Sequence, residues 1–224
     1  AGARQNVAVR LSDAFSFVEN RFRFKGGRKG NPTVELVGLF HRPKCFLPIV
    51  GKDGIAKPVI QIIIEEALSS GVEKIGLIIN PNDEHHFTSF FETLDSASIK
   101  KLPQHLQPEA KKFSDLSKRV SYIHQDEQAG LGHAVLCAQK WINNKRFMLL
   151  LGDDVYSSQE IRSCSQQIVD CYEQYGATLS VMGIYSENLE KTEYYGTVCG
   201  DWEKDNTLKL STMREKPTQD ITQE

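Results

Sequence analysis

The strongest constraint on the fold of this chain is a run of five consecutive apolar residues, F-M-L-L-L at residues 147–151, closed by Gly152, Asp153 and Asp154. A strand with one wet face alternates apolar and polar residues. A short unbroken apolar run predicts instead a central strand covered on both faces. Two-sided burial is typical of parallel sheets, whose helical crossovers pack on either side. In such open sheets ligands sit beyond the carboxyl ends of the strands. The two carboxylates after this run therefore stand at the edge where chemistry is expected.

The rest of the chain alternates strand and helix in the same way. Residues 33–40, T-V-E-L-V-G-L-F, predict the first strand of the sheet. Pro58 suits a helix start, where its missing N–H is harmless; the helix continues over 60–68 and Gly71 ends it. Residues 75–79 predict a strand, stopped by Asn80, Pro81, Asn82 and Asp83. Residues 84–119 are polar, with prolines at 103 and 108, and read as two or three short helices forming an inserted lid or a contact surface. Residues 120–125 give another strand, Gly130 and Gly132 break it, and 134–141 read as a helix. An amphipathic helix is predicted over 161–175, with Ile161, Cys164, Ile168, Cys171 and Tyr172 on one face. A strand over 177–184 follows, then a hairpin-like pair at 196–199 and 208–213. This alternation implies an α/β protein, a three-layer Rossmann-like sandwich with a mostly parallel sheet.

Residues 1–32 differ in character and are read as an N-terminal extension, with residues 33–224 as one domain. Ser12 can cap a helix carrying Leu11, Ala14, Phe15, Val18 and Phe22 at helical spacing. The basic, glycine-broken stretch 21–32 reads as a solvated loop or as an arm that contacts phosphate or a partner.

A formal net charge of −2 argues against a general nucleic-acid binder. No apolar run reaches the length of a membrane span. The cysteines at 45, 137, 164, 171 and 199 form no C-x-x-C pair, so reduced thiols in an intracellular compartment are expected rather than structural zinc. A soluble protein of the cytoplasm is the expectation. The start at Ala1 rather than methionine is expected to reflect processing or a missing beginning, which leaves organelle import open.

Gln125, the glycine turn and Asp153 all follow predicted strands and are expected to converge on one crevice. A carboxylate there can hold a hard divalent cation, and Mg²⁺ usually arrives with substrate phosphates.

Six segments, in order, carry a family resemblance: P-K-C-F-L-P-I-V at 43–50, K-P-V-I-Q at 57–61, Q-D-E-Q-A-G-L-G-H-A at 125–134, L-G-D-D-V at 151–155, Y-Y-G-T-V at 194–198 and R-E-K-P at 214–217. Together they resemble the bacterial-type UTP–glucose-1-phosphate uridylyltransferases of the sugar-phosphate nucleotidyltransferase superfamily, whose fold is of the nucleotide-diphospho-sugar transferase type. Two departures stand out. The family places a glycine-rich G-x-G-T-R loop between its first strand and the proline–lysine segment; here T-V-E-L-V-G-L-F runs almost directly into H-R-P-K, with Gly38 its one glycine. A backbone nest for a triphosphate is not expected from that stretch. The family also continues beyond E-K-P through a second metal carboxylate, so the domain is expected to be incomplete at its C-terminus.

The resemblance implies a catalytic group of Lys44, Asp153 and Lys216. Lys44 would neutralise charge on the nucleotide phosphates as the transition state forms. Asp153 would bind Mg²⁺, the expected cofactor; a strand-end Asp-Asp pair also serves as a helix cap. Gln125, with a paired donor and acceptor, would meet the edge of uracil, while Gly130 and Gly132 let backbone approach base and ribose. His133 is placed to orient that turn, or is a satisfied structural histidine. Gly196 and Glu215 would hold sugar hydroxyls and Lys216 the sugar phosphate. UTP and a sugar 1-phosphate are the implied substrates, with UDP-glucose and pyrophosphate as products. Neither a nucleic-acid partner nor a membrane span is expected; a homo-oligomer and membership of a larger complex stay open. The rival expectation is a non-catalytic scaffold or sugar-nucleotide sensor, motivated by the short connection after residue 40. A thymidylyl- or guanylyltransferase of the same superfamily is a third.

Overall fold

The computed structural model describes residues 6–10, 34–39, 44–51, 54–152, 154–156, 158, 160–176, 179–183, 197–204 and 207–214. Strand β1 (Asn6–Arg10) comes first, then β2 (Val34–Leu39). One 3-10 turn at Lys44–Phe46 leads into the hairpin of β3 (Pro48–Val50) and β4 (Ala56–Pro58), and β4 runs straight into helix α1 (Val59–Ser69). Strand β5 (Val72–Ile79) is followed by helices α2 (Glu84–Phe90), α3 (Ser96–Lys101) and α4 (Gln107–Ser117), then by β6 (Val120–His124). Helices α5 (Leu131–Cys137) and α6 (Gln139–Ile142) precede β7 (Phe147–Leu151). Helix α7 (Cys164–Tyr175) and strands β8 (Leu179–Gly183), β9 (Thr197–Lys204) and β10 (Thr207–Arg214) complete the described chain.

The chain divides into two compact units, one of residues 22–156 and one of residues 1–21 with 157–224. In the first, four strands pair in the order β6-β5-β2-β7, every pairing parallel. This is the three-two-one-four order of a Rossmann-type half, in which the chain moves outward from β2 through β5 to β6 and then returns to β2's other side. The switch between directions falls between β2 and β7. Residues 75–79 of β5 are all buried, as a strand covered on both faces requires. Helix α1 packs on β5, and α5 packs on β2 and β5. The buried face of α1 consists of Val59, Ile60, Ile63, Ile64 and Ala67, spaced for one helical side. Its β-branched residues favour strands by propensity, and burial of that face overrides them. The Trp141 ring of α6 packs against Gly76. A Cβ there would lie 3.0 Å from that ring and 2.8 Å from Ile123 Cδ1, so a larger residue would force these side chains to shift.

The second unit holds a mixed sheet in the order β8-β1-β10-β9, in which β1 pairs antiparallel with β8 and parallel with β10. Strands β9 and β10 form an antiparallel hairpin, longer than the sequence suggests. The protein is thus an α/β fold with a Rossmann-like parallel sheet, and among the described residues the antiparallel pairings lie in the hairpin at 48–58 and in this second sheet.

Three readings are corrected. The helix expected from 161 begins at Cys164: the Ser163 side chain accepts from the Gln166 N–H at 3.2 Å and caps it. Ile161 therefore lies ahead of the helix, fully exposed, and joins no apolar face. The helix expected over 134–141 starts earlier, at Leu131, and is two short pieces meeting at Ala138. Residues 6–10, given no element from sequence, form a strand held between β8 and β10. The Ser12 helix and the basic stretch 21–32 lie outside the described residues. The polar stretch 84–119 resolves into three helices, at the upper end of the expectation. No described helix is long and apolar enough to cross a membrane, and all five cysteines are free.

Candidate nucleotide-binding site

Because β6, β5, β2 and β7 run parallel, their last residues His124, Ile79, Leu39 and Leu151 share one edge of the sheet. The expected site residues follow these ends. Gln125 comes one residue after β6, Lys44 five after β2, and Asp153 two after β7. Lys44 and Asp153 thus come from the two strands that flank the switch point, where such sheets bind ligands. Asp153 itself lies outside the described residues. Its neighbour Asp154 is exposed and accepts at 3.5 Å from the Tyr156 hydroxyl.

Neighbouring residues hold the turn that carries Lys44. Cys45 is fully buried, and the Phe46 ring lies 5.0 Å from Phe87 and 5.3 Å from Phe90. The Leu47 N–H bonds the Lys44 carbonyl at 3.1 Å, and the Leu47 carbonyl accepts from Val59 at the head of α1. The exposed lysine is presented on a turn stapled to α1 and α2.

Gln125 is 4% exposed, and its N–H extends the β6 ladder by bonding Ile79 O at 2.9 Å. Its side-chain Nε2 lies 3.2 Å from Gly130 O and 3.2 Å from His133 Nδ1. Gly130 O also accepts the Ala134 N–H of α5, so it is a fixed acceptor. A carbonyl cannot donate, hence the amide nitrogen faces Gly130 and both its hydrogens are engaged inside the protein. The paired donor and acceptor expected from sequence reduces to an acceptor: no described residue donates to Oε1. His133 bonds Gln125 and so orients the turn, with its Nε2 3.9 Å from Cys137 Sγ. Burial, with Asp126 nearby, pushes the Cys137 thiol up, which keeps it neutral.

The two glycines differ in their reasons. Gly130 has φ +90° and ψ −179°, a conformation closed to side-chain-bearing residues. Gly132 lies within α5 at no positive φ, and a Cβ there would meet nothing within 4 Å. Chain packing does not require glycine at 132, although glycine in a helix costs about 1 kcal/mol against alanine.

Sequence reading missed a charged network behind this edge. Lys57 pairs with Glu65 at 3.0 Å and with Glu109; Gln61 donates to Glu65 at 2.7 Å, and Lys112 reaches Glu65 at 3.2 Å. Burial alone would lower the Lys57 pKa, but hydrogen bonds to Glu109 and Glu65 outweigh it and hold it above the ordinary value. Burial would likewise raise Glu65, and bonds from Gln61 and Lys57 with the Lys112 charge hold it below the usual carboxylate range. The (i, i+4) spacing of Gln61 and Glu65 on α1 was the available signal; the reach to α4 has no local signature.

Gly196, Glu215 and Lys216 lie outside the described residues. In sequence Gly196 directly precedes Thr197 and Glu215 directly follows Arg214, two residues that are register partners in the β9–β10 hairpin; Lys216 comes one position later. Among the described residues no three His, Cys, Asp or Glu side chains gather as a metal site.

Residues 40–224 match the family model described as nucleotidyl transferase. The chain belongs to that family. It is 36% identical over 180 residues to a UTP–glucose-1-phosphate uridylyltransferase, YngB, of Bacillus subtilis strain 168, across 79% of this chain and 57% of the relative. It is 33% identical over 180 residues to the UTP–glucose-1-phosphate uridylyltransferase of Mycoplasma pneumoniae, across 78% of this chain and 58% of that one. The chain therefore spans somewhat over half the length of these curated relatives. In structure it resembles an apo UDP-glucose pyrophosphorylase, with TM-score 0.68 at 24% identity, over 84% of this chain and 71% of the other. That likeness establishes the nucleotidyltransferase fold, in agreement with the strand order.

Proposed function

We propose that the protein is a UTP–glucose-1-phosphate uridylyltransferase, forming UDP-glucose, or a closely related UDP-sugar, and pyrophosphate from UTP and a sugar 1-phosphate. The observation that carries this reading is Gln125: a nearly buried side chain whose acceptor meets no donor among the described residues, beside two glycines that open the backbone. A buried polar atom without a partner is costly, by about 1–3 kcal/mol, and calls for a ligand donor. The names of the relatives supply the chemistry of that ligand.

In the proposed reaction a phosphate oxygen of the sugar 1-phosphate attacks the α-phosphorus of UTP in line. The bond from that phosphorus to the bridging oxygen breaks, and pyrophosphate leaves with the electron pair. Side chains contribute position and charge rather than covalent chemistry. Gln125 accepts from the base; Lys44, on its stapled turn, faces the triphosphate; Lys216 pairs with the sugar phosphate, with Gly196 and Glu215 on sugar hydroxyls. Asp153 is the residue that would hold Mg²⁺, its hard carboxylate oxygen suiting that ion, with substrate phosphates as further ligands. When bound, the ion neutralises phosphate charge. An intracellular setting fits these substrates and the free thiols.

The test is UDP-glucose and pyrophosphate formation by the full chain supplied with UTP, glucose 1-phosphate and Mg²⁺. Turnover is expected, as is its loss in Asp153→Asn; near-parental turnover in that variant removes Asp153 from the mechanism. One observation favours the sensor or scaffold reading: only four residues, 40–43, separate β2 from the Lys44 turn, and none is glycine. Calorimetric binding of UTP or UDP-glucose without turnover would decide for a sensor, and absence of both for a scaffold. Competition among UTP, dTTP and GTP separates the uridylyl reading from its thymidylyl and guanylyl relatives.

A further inference from the structure

We infer that His133 is a specificity-determining positioning residue: through the Gln125 amide it makes the site accept uracil and refuse cytosine, without itself touching the base. The inference rests on the base-reading role of Gln125 proposed above. Its starting point is the orientation of one amide. Gln125 Nε2 is 3.2 Å from Gly130 O, which only accepts, and 3.2 Å from His133 Nδ1. Two donors of one NH₂ group are thereby spent, so His133 Nδ1 must act as an acceptor and its ring proton resides on Nε2. That Nε2–H points toward the neutral Cys137 sulfur at 3.9 Å, a weak partner compatible with this tautomer.

The consequence follows from base chemistry. Gln125 keeps only Oε1 to offer, a pure acceptor. Uracil carries a hydrogen at N3 and can donate to it. Cytosine has a bare lone pair at N3, and two acceptors facing each other repel while both stay buried and unpaired. A free glutamine would not discriminate, because rotating its amide by half a turn exchanges donor for acceptor. Here that rotation would set Oε1 against Gly130 O, and His133 could meet it only by moving its ring proton from Nε2 to Nδ1, away from the Cys137 contact. Gly130 alone opposes it with one repulsive contact; His133 adds the cost of that tautomer exchange and, unrotated, fills the remaining hydrogen. Removing His133 therefore frees one amide hydrogen and weakens the lock, which lets the amide turn toward cytosine.

The experiment measures the affinities of the full chain for UTP and CTP, each with Mg²⁺, by calorimetric titration. The wild-type chain is expected to prefer UTP, and His133→Ala to lose roughly tenfold or more of that preference, the worth of one mismatched buried hydrogen bond. His133→Asn presents a carbonyl near the position of Nδ1 and should retain the preference; His133→Gln reaches past that position and should behave like alanine. A histidine acting only on stability would change both affinities alike and leave their ratio intact. An unchanged ratio in His133→Ala, or asparagine and alanine behaving identically, overturns the inference while leaving the base-reading role standing. If the wild-type chain binds UTP and CTP equally, or neither, the base-reading role falls and this inference with it. Should the variants fail to fold, ¹⁵N-histidine NMR of the wild-type chain decides: a proton on Nε2 alone supports the inference, and a proton on Nδ1 overturns it.

Discussion

Gly130 joins backbone conformation to recognition in a single residue. Its φ of +90° sends the chain from Gln125 back into α5, and its carbonyl holds both the first turn of that helix and the Gln125 amide. Gly130→Ala has space for its methyl but not the dihedral, which costs about 1–3 kcal/mol for a side-chain-bearing residue. Relaxation of that strain moves the carbonyl. UTP affinity in a calorimetric titration should fall about tenfold or more, with a melting point lowered by only a few degrees; unchanged affinity would separate the turn from the base site. At this scale the sequence was legible in kind and blind in detail. The glutamine-to-glycine spacing marks the turn, since glycine is the residue that makes it. Which half of the amide is spent follows from the Gly130 carbonyl it meets, with His133, eight positions later, as its second contact, a geometry that no letter encodes. Lys57 was opaque for the same reason: its partner Glu109 is distant in sequence.

Among the elements, the strands read from continuous apolar runs are the ones found. The run at 147–151 is β7 residue for residue, but as the last strand of the described four-stranded sheet rather than the expected central one, and only Met148 and Leu150 in it are buried; the run 75–79 of β5, an inner strand, is buried throughout, as two-sided cover requires. Helix ends were harder, since a cap such as Ser163 decides them and its side chain competes with several alternatives nearby. The hairpin of β9 and β10 was underestimated because exposed residues such as Trp202 and Glu203 carry no apolar alternation. What holds this hairpin tight is Gly200, opposite Leu210. A Cβ at 200 would overlap the Lys209 carbonyl oxygen, with the carbonyl carbon at 2.8 Å and Leu210 Cα at 3.0 Å. These are backbone atoms of the facing strand and cannot swing aside. Gly200→Ala should cost about 2–3 kcal/mol locally and hasten amide hydrogen exchange at residues 198–202, while residues 75–79 stay protected. Equal protection in both strands of the variant would refute the close approach.

For the molecule as a whole, the α/β class and the parallel sheet followed from the strand–helix alternation, and the strand end that Gln125 follows lies at the edge expected from the sheet. The separate mixed sheet did not follow, because β1 at the chain's beginning joins strands some 170 or more residues later, a pairing without local signature. Global stability has a similarly non-local source in the Lys57 network, which ties β4 and α1 to α4. Its pH dependence follows from the two shifts. Glu65 has its pKa depressed below 4.5, so its contribution is complete above that value and lost as pH falls through the folded pKa. Lys57 has its pKa raised above 10.5, so its contribution is complete below that value and lost as pH rises through the folded pKa. Between these limits Glu65 and Lys57 are both ionised. Lys57→Met leaves Glu65 and Glu109 facing each other with one cation fewer, a loss of about 2 kcal/mol for a partly buried pair, or about 4–8 °C in melting temperature for a chain of this size. The deficit relative to wild type should be largest near pH 7 and narrow below about pH 4, where protonated carboxyls no longer need the ammonium. Thermal melts of both proteins across that range check the sign: a deficit independent of pH would assign the stabilisation to the packing of the lysine stem rather than to its charge.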